Sequence, residues 1–255
     1  MIGVYPLHRY PTTFDFAAWV TLAKSSGCDH VIFDVGQGLP GKKYSVDIGW
    51  KRFGNILVPL CALAGITYSV QTFGEGSSFS YNWGAVEQFY RQHRRIELLK
   101  PTIAPSDSGY VTVTLRESFR NTHRNSDIPE WEKFCNYLTR IGKRVILLGE
   151  CEQAPLDLEY RMSLYAGAEM NFGVNNGPMS MCCFSEVPYM IFNIFPKRVP
   201  TEKTYSVSKM MTRDGFGYGS QFSFRKPNQT LVWEPDDYQV MVNSYELMIC
   251  DRMAA

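Results

Sequence analysis

The chain has 255 residues, of which 45% are hydrophobic and 20% charged, a composition that excludes a disordered or fibrous protein and suits one large or two small packed domains. Its 26 Lys and Arg nearly cancel 25 Asp and Glu, leaving a net charge of +1, so no global basic surface marks a nucleic-acid binder. The seven cysteines (Cys28, Cys61, Cys135, Cys151, Cys182, Cys183 and Cys250) are odd in number and form no C-x-x-C pair. With no signal peptide and no apolar run near the roughly 20 residues needed to cross a bilayer, the expectation is a reduced, cytoplasmic protein without a transmembrane segment.

In chain order, Ile2 to Leu7 reads as a strand and Phe14 to Ser26 as a helix with Phe16, Trp19, Val20, Leu22 and Ala23 on one stripe. His30 to Val35 is a buried-type strand feeding a glycine-rich loop, Gly36 to Gly41, that lacks the third glycine of a dinucleotide fingerprint. Arg52 to Ala64 is apolar and helical in part, weakened by Gly54 and Pro59, before a third strand at Ile66 to Val70. Trp83 to Leu99 has helical spacing and carries Arg91, His93, Arg94 and Arg95, read as a solvated face with a phosphate or lipid-surface contact as the alternative. Lys100 to Gly109, with two prolines and small polar residues, is the candidate linker, dividing the chain into residues 1–105 and 106–255.

The second half restarts the pattern with Tyr110 to Leu115, a clean alternation. Asp127-x-x-Glu130 has the form of a capping box for a helix with Trp131, Phe134, Leu138 and Ile141 on one face. The strand Arg144 to Leu148, the helix Asp157 to Ala168, the strand Met170 to Val174 and the strand Pro188 to Phe195 follow; Arg161 reads as outward or as a support for the loops. Lys197 to Pro227 is long, polar and without period, and Thr230 to Glu234 is a short strand before a last helix capped by Pro235-Asp236-Asp237. Alternating strands and helices make an α/β fold of two Rossmann-like domains with mostly parallel sheets, the first of them reduced.

In such sheets ligands sit beyond the carboxyl ends of the strands. Three loops there carry chemistry: Arg116 to Ser126, with Arg116, Arg120, Arg124 and Asn125; Gly149 to Glu152; and the corner Asn175-Asn176-Gly177-Pro178 leading into Met179. Arginine forks suit phosphate oxygens, Pro178 suits a first helical position, and Gly177 leaves room for a ligand at the backbone. An arginine loop and a helix start on one sheet edge would hold a diphosphate from two sides. Surface pairing of those arginines with Glu117, Asp127 and Glu130 is the plain alternative.

The runs VTVTLRESFRNTHRNSDIPEW, RVILLGE and R-x-x-x-Y-x-x-A-E-x-x-x-G-V-N-N-G-P-M resemble the nucleotide-sugar-binding half of GT-B glycosyltransferases, over roughly Tyr110 to Phe195. The resemblance implies donor-diphosphate contacts from Arg116, Arg124 and residues 176–179, with Glu150 near the nucleoside. It further implies an acceptor-side first domain whose histidine or carboxylate acts as base, for which His8, Asp34 and Glu75 are the candidates. An Asp-x-Asp motif is absent and His8, His30, His93 and His123 show no metal-ligand spacing, so the expectation is metal-independent transfer with no cofactor, the nucleotide-diphosphate sugar being a substrate. The acceptor is unspecified, whether glycan, lipid or small molecule, and peripheral membrane contact stays open. An epimerase or hydrolase of the same architecture, or a non-catalytic nucleotide-sugar-binding protein, are the alternatives.

Overall fold

The structure, a computed structural model, describes residues 1–10, 12–36, 46–72, 78–80, 82–118, 122–149, 157–194 and 217–254. Three strands, β1 (Ile2–Pro6), β2 (His30–Asp34) and β3 (Thr67–Gln71), make a parallel sheet in the order β1-β2-β3. Helix α1 (Phe16–Ser25) is buried nearly throughout because its aromatic residues stack on the sheet: Phe16 and Trp19 lie 4.8 and 5.2 Å from the Tyr5 ring. The apolar run that Gly54 and Pro59 weaken is continuous instead. Helix α2 (Val46–Arg52) passes through a π turn (Phe53–Leu57) into α3 (Val58–Ala64), where the Val58 N–H reaches the Phe53 carbonyl. That register shift leaves Pro59 in the first turn of α3, where a missing N–H costs little. Gly65, at φ 62°, then ends the helix.

Helix α4 (Trp83–His93) stops short of Leu99 because Arg94 takes a left-handed conformation, φ 53°. The freed chain crosses between the halves: Leu99 N–H donates to Phe184 O of the second at 2.8 Å, and Lys100 N–H to Leu63 O of the first at 2.8 Å. The expected linker is therefore tied down, since Ser163 Oγ donates to Ala104 O and Arg144 pairs with Asp107 at 2.6 Å.

The second sheet is also wholly parallel: β4 (Tyr110–Thr114), β5 (Arg144–Leu148), β6 (Met170–Val174), β7 (Tyr189–Phe192) and β8 (Gln229–Leu231), in the order β5-β4-β6-β7-β8. Helices α5 (Ile128–Arg140) and α8 (Tyr238–Ala254) cover one face, where Val111, Val113, Phe134, Phe172, Met241 and Tyr245 pack together. Helices α6 (Leu158–Gly167) and α7 (Met179–Cys183) cover the other. There the apolar cluster is continuous with that of the first sheet, running from Phe33 and Trp19 through Leu60 and Met181 to Ile191. With both faces covered, β4 is buried at all five positions, and its alternation sorts Val from Thr between two cores instead of core from solvent.

The capping box does not close on itself. The Asp127 side chain makes no capping bond; instead Asp236 Oδ2 accepts the Asp127 N–H at 2.8 Å, and Glu130 Oε2 accepts the Tyr238 N–H at 2.9 Å. The starts of α5 and α8 thus cap each other, and Asp237, not Asp236, caps α8 locally by accepting the Gln239 N–H. Beyond α4, Phe222 packs on Trp83 and Phe184, and buried Glu87 accepts Arg91 Nε at 2.6 Å and the Ser223 N–H at 2.8 Å. Gln221 covers the edge of β8, donating to Leu231 O and accepting the Leu231 N–H.

Candidate functional site

The strand order locates the site. From β4 the chain winds outward to β5 on one side, and β6, β7 and β8 continue on the other, so the order reverses between β4 and β6. The crevice at the carboxyl ends of that pair is where a doubly wound sheet binds ligands. The loops that leave β4 and β6 are the arginine loop and the Asn175-Asn176-Gly177-Pro178 turn.

The arginine loop is pinched at its base, Arg116 N–H donating to Ser126 Oγ at 2.8 Å and Ser126 N–H to Arg116 O at 2.9 Å. The Asn125 carboxamide holds Ser118 through both backbone groups, at 3.0 and 2.9 Å. Arg116 is buried, with 7% of its surface exposed. Arg124 Nη2 donates to Asn175 O at 2.8 Å and so joins the two loops. Arg120 and Glu150 lie outside the described residues, as does Glu75.

On the turn, Asn175 N–H donates to Phe192 O and its side chain to Ile194 O, which fastens the turn to the end of β7. Asn176 is 2% exposed; its Oδ1 accepts the Met179 N–H at 3.1 Å, while its Nδ2 is buried without a hydrogen-bond partner. The amides of Ser180 and Met181 donate to Gly177 O and Pro178 O, so those of the first turn of α7 are engaged within the turn itself. Met179 is an anchor: a Cβ on Gly173 would meet its side chain at 2.9 Å, so β6 carries glycine where α7 lies on the sheet. The room expected at Gly177 is filled. Its φ is not positive, and a Cβ there would stand 2.3 Å from Phe14 Cδ2, so this glycine admits an aromatic ring from the first half of the chain.

Phe14 belongs to the loop between β1 and α1, which also carries His8. Parallel pairing sets Pro6 beside Asp34, and Leu7 N–H donates to Asp34 O at 2.8 Å. His8 Nδ1 then faces Asp34 Oδ2 at 3.8 Å, and Asp34, fully buried, accepts the Gly36 N–H on its other oxygen at 2.8 Å. Gly36 is needed here twice over: its φ is +58°, and a Cβ would lie 2.8 Å from His8 Nδ1. Two candidate bases 26 positions apart in sequence thus form one pair at the carboxyl edge of the first sheet, Asp34 at the end of β2 and His8 on the loop whose Phe14 reaches Gly177.

Arg161 is buried beneath the crevice, donating to Gly149 O at 2.6 Å and to the Tyr165 hydroxyl at 3.2 Å. It therefore supports the loop after β5 from inside, and does not point outward. The sequence carried this signal, because Arg161 falls on the same helical stripe as Leu158, Met162 and Tyr165. Tyr165 also meets Thr114 Oγ1 at 2.9 Å, and burial pushes its hydroxyl up to about 12 despite the nearby guanidinium. Phe14 and Asp236 carried no comparable signal, since each acts on a residue more than 100 positions away.

Among the described residues no group of three or more His, Cys, Asp or Glu side chains is arranged to hold a metal ion, and no helix is long and apolar enough to cross a membrane. No family model matches the chain. No curated protein matches it in sequence. Among solved structures it is similar to the bacterial iron-containing dodecameric glycosyltransferase TibC from enterotoxigenic E. coli, at 13% identity and a TM-score of 0.42, over 76% of this chain and 58% of that one. It is similar also to E. coli heptosyltransferase WaaC with ADP-2-deoxy-2-fluoro heptose, at 14% identity and a TM-score of 0.36, over 89% of this chain and 65% of that one. The chain thus spans less than two thirds of either structure. Both are glycosyltransferases, the class the sequence resembles. The roles proposed below for individual residues rest on the geometry of this chain.

Proposed function

We propose that the protein transfers a sugar from a nucleotide-diphosphate sugar to an acceptor hydroxyl, residues 106–255 holding the donor and residues 1–105 the acceptor. The observation that supports this reading is the meeting of two carboxyl edges: the arginine loop and asparagine turn at the β4/β6 crevice, and the pair formed by Asp34 at the end of β2 with His8 on the loop whose Phe14 packs on Gly177.

The chemistry needs a base on one side and a seat for a leaving diphosphate on the other. His8 with a proton on Nδ1 faces the Asp34 carboxylate, and its second ring nitrogen is then the acceptor. That nitrogen takes the proton of the acceptor hydroxyl as its oxygen bonds to the anomeric carbon and the bond from that carbon to the diphosphate breaks. Asp34 stabilises the imidazolium that forms. The charge developing on the departing diphosphate is met by Arg116 and Arg124, aided by the buried amide of Asn176, while Asn125 shapes the arginine loop through its hold on Ser118. Asn175, Gly177, Pro178 and Met179 shape the turn that presents Asn176. Arginines carry the role that a divalent cation would otherwise fill, so transfer is metal-independent in this scheme.

Binding and turnover test the two halves separately. Arg124→Ala should weaken ADP or UDP binding about tenfold or more, through loss of a charge-assisted contact. His8→Gln should leave that affinity unchanged and lower turnover by about 10²- to 10⁴-fold. Unchanged nucleotide affinity in Arg124→Ala would sink the donor site. Nucleotide release without any acceptor would make the protein a hydrolase, and tight binding without turnover a binding module.

A further inference from the structure

We infer that Asp236 is a positioning residue for the crevice, a buried carboxylate that holds the arginine loop and the asparagine turn in one register; the inference rests on the donor-site reading above. Asp236 is 5% exposed and far in sequence from both loops. Its Oδ2 accepts the Asp127 N–H and Trp131 Nε1, both at 2.8 Å, and its Oδ1 accepts Asn193 Nδ2 at 3.2 Å.

Two of the three partners, Asp127 and Asn193, tie to the crevice loops. Asp127 follows Ser126, the residue that closes the arginine loop onto Arg116. Asn193 follows Phe192, whose carbonyl receives the Asn175 N–H, and it is held in a left-handed conformation at φ 55° with its own N–H on Glu234 O. On the crevice side the same two loops meet again through Arg124 and the Asn175 carbonyl. The result is a closed circuit: Asp236 to Asp127, along the loop to Arg124, across to Asn175, through Phe192 to Asn193 and back to Asp236.

Such a circuit presets where the Arg124 guanidinium stands, so its ordering does not have to be supplied when a ligand arrives. The carboxylate is suited to this place because three donors converge on it and its oxygens only accept; an asparagine would turn an NH₂ toward one of them. Capping α5 alone would need one of these three bonds. The other two reach the Trp131 ring and the end of β7.

The test is a double-mutant cycle on ADP and UDP binding by calorimetry, with Asp236→Asn, Arg124→Ala and the pair. If Asp236 acts through the arginine, each single change weakens binding about tenfold and the pair binds within about twofold of Arg124→Ala alone. Losses that multiply to about a hundredfold, or an Asp236→Asn protein that binds as wild type does, overturn the inference. Asn193→Gly keeps the left-handed backbone, removes a single bond of the circuit and gives the same reading should Asp236→Asn fail to fold. Amide hydrogen exchange on the ligand-free protein separates this inference from the donor-site reading. Faster exchange at residues 122–126 and 175–177 together in either variant supports the circuit whether or not nucleotide binds, and unchanged exchange there overturns it.

Discussion

Gly177→Ala isolates the contact that joins the two halves. Gly177 is not among the glycines with positive φ, so an alanine is compatible with the backbone and would, by restricting the unfolded chain, contribute about 0.4–1 kcal/mol of stability if nothing stood in its way. Something does: the new Cβ would lie 2.3, 2.9 and 3.0 Å from Cδ2, Cγ and Cε2 of Phe14, a ring that is 7% exposed and packed in the apolar cluster shared by both sheets. Forcing a methyl into such a place costs about 1–3 kcal/mol, leaving a net loss of about 1–2 kcal/mol. For a chain of this length that is a fall of about 2–8 °C in Tm. Thermal denaturation followed by circular dichroism reads it, and Phe14→Leu supplies the control. Leucine removes the ring edge that the methyl meets, so Gly177→Ala added to Phe14→Leu should cost nearly nothing, a coupling of about 1–2 kcal/mol. A Gly177→Ala protein as stable as wild type, or losses that simply add, would refute the claim that this glycine exists for Phe14.

Two further outcomes follow from the titrating groups. The Lys133 ammonium, with help from the Tyr238 N–H, holds the Glu130 carboxyl below its ordinary 4.5; stability from this group is therefore present above that value and is lost as pH falls through the lowered folded one. Melts between about pH 3 and pH 7 should show a shallower acid limb in Glu130→Gln than in wild type, and parallel limbs would count against the shared cap. Burial pushes the thiols of Cys61, Cys182 and Cys183 well up and that of Cys135 up to about 11, whereas Cys250 is exposed. A thiol reagent at neutral pH should label Cys250 well before those four in the folded protein, with all reacting in denaturant; labelling of Cys182 or Cys183 at the rate of Cys250 would contradict the burial of α7.

The elements themselves were legible because backbone geometry imposes a local period. Alternation marked β4, and helical spacing marked α1, α5 and α6; Arg161, read as outward or as a support for the loops, lies on the buried stripe of α6. Where expectation failed, the deciding partner was distant. Asp127 and Glu130 have the spacing of a self-contained cap, yet Asp236 and Tyr238 compete successfully for both because α5 and α8 bury their apolar faces against one sheet side by side. Gly177 looked like space for a ligand until Phe14 occupied it. His8 and Asp34 were separate candidates for the base, but only the parallel register of β1 on β2 makes them one pair.

Periodicity, turn residues and the loops carrying arginine and asparagine belong to the sequence alone, since each depends on neighbours a few positions apart. The order β5-β4-β6-β7-β8, and with it the crevice between the Arg116 and Asn175 loops, came only with tertiary structure. Strand order is chosen by which apolar faces can be buried together across more than a hundred residues, and no local pattern encodes that choice.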